Sequence, residues 1–506
     1  MSKPVPRLVW PGMVIGIAVL ERLALWLFYP PVIFDDSNSY RRLAGQILGS
    51  APFDGTRSPG YPIFLAWLGP DRTVYAVQLI LGLATTLLFF YLGWLVTGNQ
   101  KVGAAAALIH TLNLGQLLFE ADLLAETLTT FLAMLAICGG VYLLKQETFE
   151  KVNLKNIAIA LLIGLSGGLA TQVRPQFIFL PFLIIFILLL QVARQNFNHE
   201  GTQSITRVPA ASVQAKEIFK SSSFVLSPAL AGGARVVSFA RPGAWWARVV
   251  KALKALWAII LAIAIPAILL TALWVNYIHT QFGVWSMSSV DGYHIIQHTG
   301  KFFEYVPDEN AAIRDTFLKY RAIQIAKTGK ASNTIWAAVP ELQKVSGLGF
   351  YKLSRKLQDI SRQLILDHPL LYLGSVFEAW FWFWSAPFYW NPDAFGVIGT
   401  WLTQLQRVLL WAANAIFIAG TFALVFQRAR KILAMPPALW LTLAIIWVNS
   451  ILQAIVEASE NPRYSVSTQT LVVLVVVWWA WHLITAQFGA KYSEGVKPQT
   501  EQKNKQ

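Results

Sequence analysis

LVWPGMVIGIAVLERLALWLF (Leu8–Phe28), followed shortly by Phe34-Asp35-Asp36-Ser37-Asn38-Ser39-Tyr40, decides how this chain is read. The first piece is apolar and long enough to cross a bilayer, which takes roughly 20 helical residues. The second sets two adjacent carboxylates where that helix ends. Carboxylates there cost solvation energy unless they face water, a partner or a substrate. No small-residue cleavage site follows the bulky apolar run, so a retained anchor is expected rather than a signal peptide.

The rest of the chain repeats this pattern. Of 506 residues 55% are hydrophobic and 13% charged, with 21 tryptophans and a mean hydropathy of +0.50. Soluble domains carry about 25% charged residues. Further apolar runs are Val74–Val96, Val102–Leu118, Leu123–Leu144, Ile157–Ala170, Phe177–Val192, Ala255–Tyr277, Trp401–Phe426, Ala438–Ile455 and Thr468–Ile484. The aromatic run Leu370–Trp390 is ambiguous. Charge bias resolves it. With Lys3 and Arg7 inside, Gln100-Lys101, Lys145–Lys155, Arg194–Lys254, Arg428–Lys431 and Lys491–Lys505 all fall on the cytoplasmic side. If Leu370–Trp390 also crossed, the last two groups would lie outside. It is therefore expected to be a juxtamembrane or partly inserted outer-side helix.

The expected fold class is all-α: a polytopic helical membrane protein of about ten transmembrane helices, both termini cytoplasmic, with a helical cap on the outer face. Its divisions are a transmembrane catalytic module over 1–278, a cap over 279–400, transmembrane helices over 401–490 and a tail over 491–506. The first module holds the outer loop 30–72 and the cytoplasmic linker 194–254. Helical periodicity marks Ala311–Ala326 and Ser346–Leu366 in the cap. The aromatic and cationic mixture from Trp245 to Lys254 suits a helix on an anionic inner leaflet. The net charge of +15 reports topology, and no nucleic acid is implied.

Several polar residues gather at the outer ends. Asp36 and Tyr40, four apart, share a helical face. Asp35 points another way, so one of the two carboxylates faces a given ligand. Asp36 also suits an N-cap. Glu126 opens the fourth span, with Asp122 one turn earlier. Glu21-Arg22 lies inside the first span, and each residue needs its own partner on another helix. Arg57, Arg174 and Arg463 sit near the outer surface, where a lipid phosphate lies, and arginine suits phosphate. Snorkelling to headgroups would place them equally well. His294 and His298 are four apart but lack a metal-binding sequence context, so no metal site is expected. Cys138 is the only cysteine, which excludes an intramolecular disulfide. No phosphate-cradling Gly-rich loop with lysine is present.

Asp36-Ser37-x-x-Tyr40, then Leu43-Ala44, then Arg57-Ser58-Pro59-Gly60-Tyr61-Pro62, resembles the first outer loop of GT-C-type glycosyltransferases. The likeness is to the branch of protein O-mannosyltransferases and the lipid A aminoarabinose transferase. Glu126-Thr127-Leu128, Asp367-His368-Pro369-x-x-Tyr372-Leu373 and Glu460-Asn461-Pro462-Arg463-Tyr464 are similar to that group and follow in its order. The chain departs from it at Ser465-Val466-Ser467, where a proline is usual, and in its longer, more basic inner linker.

The resemblance implies a cell-membrane, inverting transferase that takes sugar from a polyprenyl-phosphate donor on the outer face. The acceptor would be a glycan, lipid or protein, and membrane lipids surround the chain. Asp36 matches the general base and Glu126 the second acidic position, with Asp35 beside them. Arg463 and Tyr464 match residues near the donor phosphate, where Arg57, Arg174 and Tyr40 would join them. A divalent metal is neither implied nor excluded. Two other classes carry different signatures. A lipid-linked polysaccharide polymerase or ligase would place its key groups in late outer loops. A lipid or sugar transporter would carry interrupted helices and midplane charges in matched halves.

Overall fold

The structure, a computed structural model, describes residues 9–49, 51–146, 153–203, 243–386, 388–458 and 461–495. The helices, in order, are α1 (Val9–Phe28), α2 (Asp35–Leu48), α3 (Gly60–Leu68), α4 (Asp71–Thr97), α5 (Gln100–Thr111), α6 (Leu114–Phe119) and α7 (Glu126–Leu144). Then come α8 (Leu154–Val173), α9 (Phe179–Gln203), α10 (Gly243–Phe282), α11 (Asp291–Thr299), α12 (Ala311–Thr328), α13 (Thr334–Ser346) and α14 (Phe350–Asp367). The last are α15 (Pro369–Phe383), α16 (Gly396–Ala423), α17 (Gln427–Ile432), α18 (Pro437–Val456), α19 (Asn461–Tyr464) and α20 (Val466–Gly495).

The chain is a polytopic helical membrane protein. Among the described residues nine helices are long and apolar enough to cross a bilayer: α1, α4, α7, α8, α9, α10, α16, α18 and α20. The expected run Val102–Leu118 is not one helix. It breaks at Leu112-Asn113 into α5 and α6. The pair still runs the length of α4. Gly103 of α5 packs on the Phe90–Trp94 turns of α4. At the other end Gln78 Nε2 donates to the carbonyls of Glu120 (3.0 Å) and Asp122 (2.7 Å). Backbone groups freed by a break in lipid need partners. Gln406 of α16 supplies them, donating to the Leu112 carbonyl at 2.9 Å and accepting from the Gly115 N–H at 3.3 Å.

The polar residues inside this part of the bundle hold one another. Arg22 of α1 pairs with Glu120 at 2.6 Å and donates to Thr111 Oγ1 at 2.9 Å. Thr111 donates to Glu21 at 2.5 Å. Glu21 and Arg22 thus take partners from other elements, as expected for neighbours that do not share a helix face. The Glu120 carboxylate fills the space a side chain at Gly82 would need. A methyl there displaces Glu120 from Arg22, and breaking a buried pair costs about 3–5 kcal/mol. Gly82→Ala should therefore lower the thermal midpoint of the purified protein by many degrees, whereas Gly16→Ala, with open space around it, should leave it unchanged.

α15 does not cross. It is 15 residues long and packs on the half of α18 nearer that helix's C-terminal end. The Tyr372 hydroxyl donates to the Ile455 carbonyl at 2.9 Å, and Trp380 stacks on Trp447 with centroids 6.0 Å apart. The chain then turns back, and Phe395 stacks on Tyr29, just past α1, at 5.3 Å. α16 therefore starts at the end of the bundle where α1 finishes. α15 packs along one face, where Ser375, Ala379 and Phe383 are buried, and leaves Leu370, Leu373, Phe377 and Phe381 exposed on the other.

α11 to α14 form the cap, around a core that includes Tyr293, Phe303, Phe317, Leu342, Leu353 and Leu357. Two of these helices were expected. The other two are α11, of nine residues, and α13, which carries Pro340 in its interior. At the other end of the bundle, the stretch from Trp245 to Lys254 is continuous with the apolar span that follows it, Leu256–Phe282. One helix runs from Gly243 to Phe282 through Pro266. The expected linker is helical at both ends, and its centre, 204–242, lies outside the described residues, as do most of the tail and Glu460.

Candidate functional site

The C-terminal ends of α1, α8, α10 and α18 and the N-terminal ends of α4, α7, α16 and α20 meet under the cap. The segment between α1 and α2 is pinned there by a single bridge. The Val32 N–H donates to the Ala121 carbonyl and the Leu123 N–H to the Val32 carbonyl, both at 3.0 Å. Asp122 lies in this bridge and not on a turn of α7. It is fully buried, and burial, then the charge of Glu126, push its carboxyl well above the usual range against the pull of Arg463.

α2 begins at Asp35, with Phe34 in the cap position and the Phe34 N–H donating to Ser37 Oγ at 3.0 Å. Asp36 is therefore not the cap. It lies in the first turn, where the helix dipole favours a carboxylate. Asp36 and Tyr40 do share a face: Arg57 pairs with Asp36 and sits over the Tyr40 ring at 5.4 Å. Asp35 is exposed on the neighbouring face.

Asp36 starts an alternating array. Arg57 and Arg463 flank it, the latter with Nη1 2.7 Å from Asp36 Oδ2. Arg463 Nε lies 3.2 Å from Glu126 Oε1, and Arg174 pairs with the same carboxylate oxygen. Three arginines thus hold two carboxylates, leaving one net positive charge within the array. Burial would raise the Asp36 carboxyl, but Arg463 and Arg57 outweigh it and hold it down at about 2. Arg57 is pushed up, with burial opposing Tyr40 and Asp36. Aromatic rings wall the array. Tyr464 lies 4.8 Å from the Arg174 guanidinium and 5.4 Å from that of Arg463, and Tyr389 lies 5.9 Å from Arg463. Behind Tyr40, Tyr61 packs edge-on and donates to Gln78 at 2.8 Å, tying the array to the Asp122 turn.

The structure thus brings Asp36, Glu126, Arg57, Arg174, Arg463, Tyr40 and Tyr464 together, and leaves Asp35 on the rim. The two carboxylates differ. The Glu126 side chain is 3% exposed and the Asp36 side chain 17%. Only Asp36 borders the cleft of about 490 Å³ that opens between α2 and the cap, with Asp35, Arg42, Arg57, His294 and Trp336 among its lining. Tyr389 comes from the returning segment after α15, and only its aromatic character was visible in the sequence.

His294 and His298 lie on α11 but serve different partners. His298 Nδ1 lies 2.9 Å from Ser375 Oγ, and burial holds its ring down at about 4. His294 Nδ1 lies 2.7 Å from Glu457 Oε2, joining the cap to the end of α18. Burial lowers the His294 ring, but Glu457 and then Asp291 raise it further, against Arg57. A raised folded value contributes stability that is complete below the unfolded value near 6.5 and is lost as pH rises through the folded one. The thermal midpoint of the natural protein should exceed that of His294→Gln most below pH 6.5, with the difference shrinking as pH rises above that. Among the described residues no group of three or more His, Cys, Asp or Glu is placed to hold a metal ion.

No protein-family model and no curated protein matches this chain. Among solved structures it is similar to the archaeal oligosaccharyltransferase AglB from Archaeoglobus fulgidus, in complex with an inhibitory peptide and a dolichol-phosphate, at 11% identity and a TM-score of 0.45. The match covers 97% of this chain and 52% of that one, so the chain spans about half its length. At that score the likeness carries neither fold nor function.

Proposed function

We propose that this chain is an integral-membrane transferase that moves a sugar from a polyprenyl-phosphate donor to an acceptor hydroxyl, with inversion, at the outer face of the cell membrane. The observation that carries it is the Arg57–Asp36–Arg463–Glu126–Arg174 array at the mouth of a helical bundle, beside an open cleft. Its net positive charge suits a phosphate that gains negative charge as it leaves. Its ionised, cleft-facing carboxylate suits proton removal.

In this reading the acceptor oxygen attacks the anomeric carbon on the side opposite the phosphate. The new C–O bond forms, the bond to the phosphate oxygen breaks, and its electron pair stays on the phosphate beside the arginines. The acceptor proton passes to Asp36. A carboxylate held near 2 is a weak base. It suffices when the proton leaves late, because an oxygen already bonded to the sugar carbon is far more acidic than any carboxylic acid. Glu126, nearly enclosed, fixes Arg174 and Arg463 and takes no proton. The likeness of the sequence motifs to GT-C transferases agrees with this division. The interrupted crossing α5–α6 is the feature a transporter would share, but its Glu120 is matched by Arg22.

Purified protein in nanodiscs, given a panel of radiolabelled polyprenyl-phosphate sugars and a membrane-glycan extract, should release polyprenyl phosphate only when acceptor is present. Absence of transfer from every donor would sink the reading. The face is tested separately, in a Cys138→Ser background. Lys327→Cys, exposed on the cap, should react with an impermeant maleimide on intact cells, and Arg428→Cys, exposed on α17, only after permeabilisation. The reverse pattern would place the site in the cytoplasm.

A further inference from the structure

The cleft beside Asp36 has two unlike walls. The wall on α2 is charged. The wall on the cap is an indole set among fixed polar groups. Trp336 lines the cleft and is 44% exposed, so its indole face is open to a ligand there. Behind it stand Tyr293, with ring centroids 5.6 Å away, and His294, at 6.2 Å. His294 is in turn held by Glu457.

Asn333 stands beside it, just before α13, with φ of 64°. That left-handed geometry is strained for any residue with a side chain, though less so for asparagine, and such strain persists where surrounding contacts enforce it. Gln297 enforces it here. Its Oε1 accepts from the Asn333 N–H at 3.1 Å and its Nε2 donates to Asn333 Oδ1 at 3.4 Å. The indole, the Asn333 amide and the His294 ring are thus each braced by a second residue. A braced wall loses little conformational freedom when a ligand binds.

A sugar ring fits that wall. Its C–H face is apolar and packs on an indole, while its hydroxyl edge meets amide, imidazole and carboxylate. Peptide recognition by strand pairing has no edge to use here, since no strand occurs among the described residues. The volume of about 490 Å³ lies within the range of small-ligand sites, roughly 300–1,000 Å³. Resting on the transferase reading above, we infer that this cleft is the acceptor subsite and that the acceptor is a saccharide, its ring against Trp336 and its reacting hydroxyl at Asp36.

Saturation-transfer NMR tests this on the full chain in nanodiscs, free of glycoside detergent. The probes are methyl glycosides of several hexoses and pentoses, and a threonine-containing peptide. At least one glycoside should give ring-proton signals. Trp336→Ala should reduce them at least five-fold and Trp336→Phe should keep most of them. Asn333→Gly, which relieves the backbone strain while removing the amide, should reduce them about three-fold. Signals from the peptide alone, or glycoside signals unchanged in Trp336→Ala, would overturn the inference. Transfer assays separate the two claims. Saccharide binding that depends on Trp336, without transfer from any donor, would refute the transferase and leave the subsite. Transfer to peptide alone would do the opposite.

Discussion

Asp36→Asn should lower turnover by about 10²–10⁴-fold, the usual cost of losing a general base. Asparagine keeps the shape of the side chain and can still accept from one guanidinium, but it cannot take the acceptor proton. The structure adds a cost that the position in α2 alone would not show. Asp36 is not a cap whose role asparagine could fill; it is the negative charge between Arg57 and Arg463. Its folded value of about 2 lies below the ordinary one, so its stabilisation is present above the unfolded value and lost only as pH falls towards 2. Removing the charge at neutral pH should therefore also lower the thermal midpoint. Turnover is accordingly measured well below the midpoints of both proteins, with donor binding followed in parallel. Asp35→Asn, on the exposed rim, should change turnover by less than about three-fold. Full activity in Asp36→Asn would remove the proposed base.

Arg463→Ala should raise the donor KM and lower kcat together, for a loss of about 10²–10³ in kcat, as found when one preorganised group at a charged transition state is removed. Folding should survive better than the 2% exposure of this side chain suggests. Asp36 keeps Arg57 and Glu126 keeps Arg174, so neither carboxylate is stranded. Arg463→Lys should recover only part of the activity. A single ammonium cannot place one nitrogen towards Asp36 and another towards Glu126, as the guanidinium does. Unchanged kinetics in Arg463→Ala would make the residue a structural bridge between the two acids and nothing more.

Much of the bundle could be read along the sequence because its signal is local. A run such as Val74–Val96 declares itself by composition, and Asp36 and Tyr40 by their spacing. What escaped was set by distant partners. Asn113 breaks a crossing within an apolar run, and its neighbours are satisfied by Gln406 at the far end of the chain. His294 and Glu457 stand 163 positions apart, and no spacing rule connects them. The seat of α15 on α18 includes the stacking of Trp380 on Trp447, a pair far apart in the chain. Pro340 sits inside a continuous helix that was not expected, whereas the run through Pro266 was read as one span and is one. The arginines were legible as a set near one surface, but their alternation with Asp36 and Glu126 is a product of packing.

The contact between Gln406 and the break after α5 also sets a clock on biosynthesis. Gln406 is made 291 residues after Gly115, which at roughly 5–20 residues per second takes about 15–60 s. During that time the carbonyl of Leu112 and the N–H of Gly115 must be sheltered by the insertion machinery or by water, since lipid offers them no partner. A nascent chain halted before α16 is expected to remain bound to its insertase, and a chain carrying Gln406→Leu to leave it slowly and be degraded early.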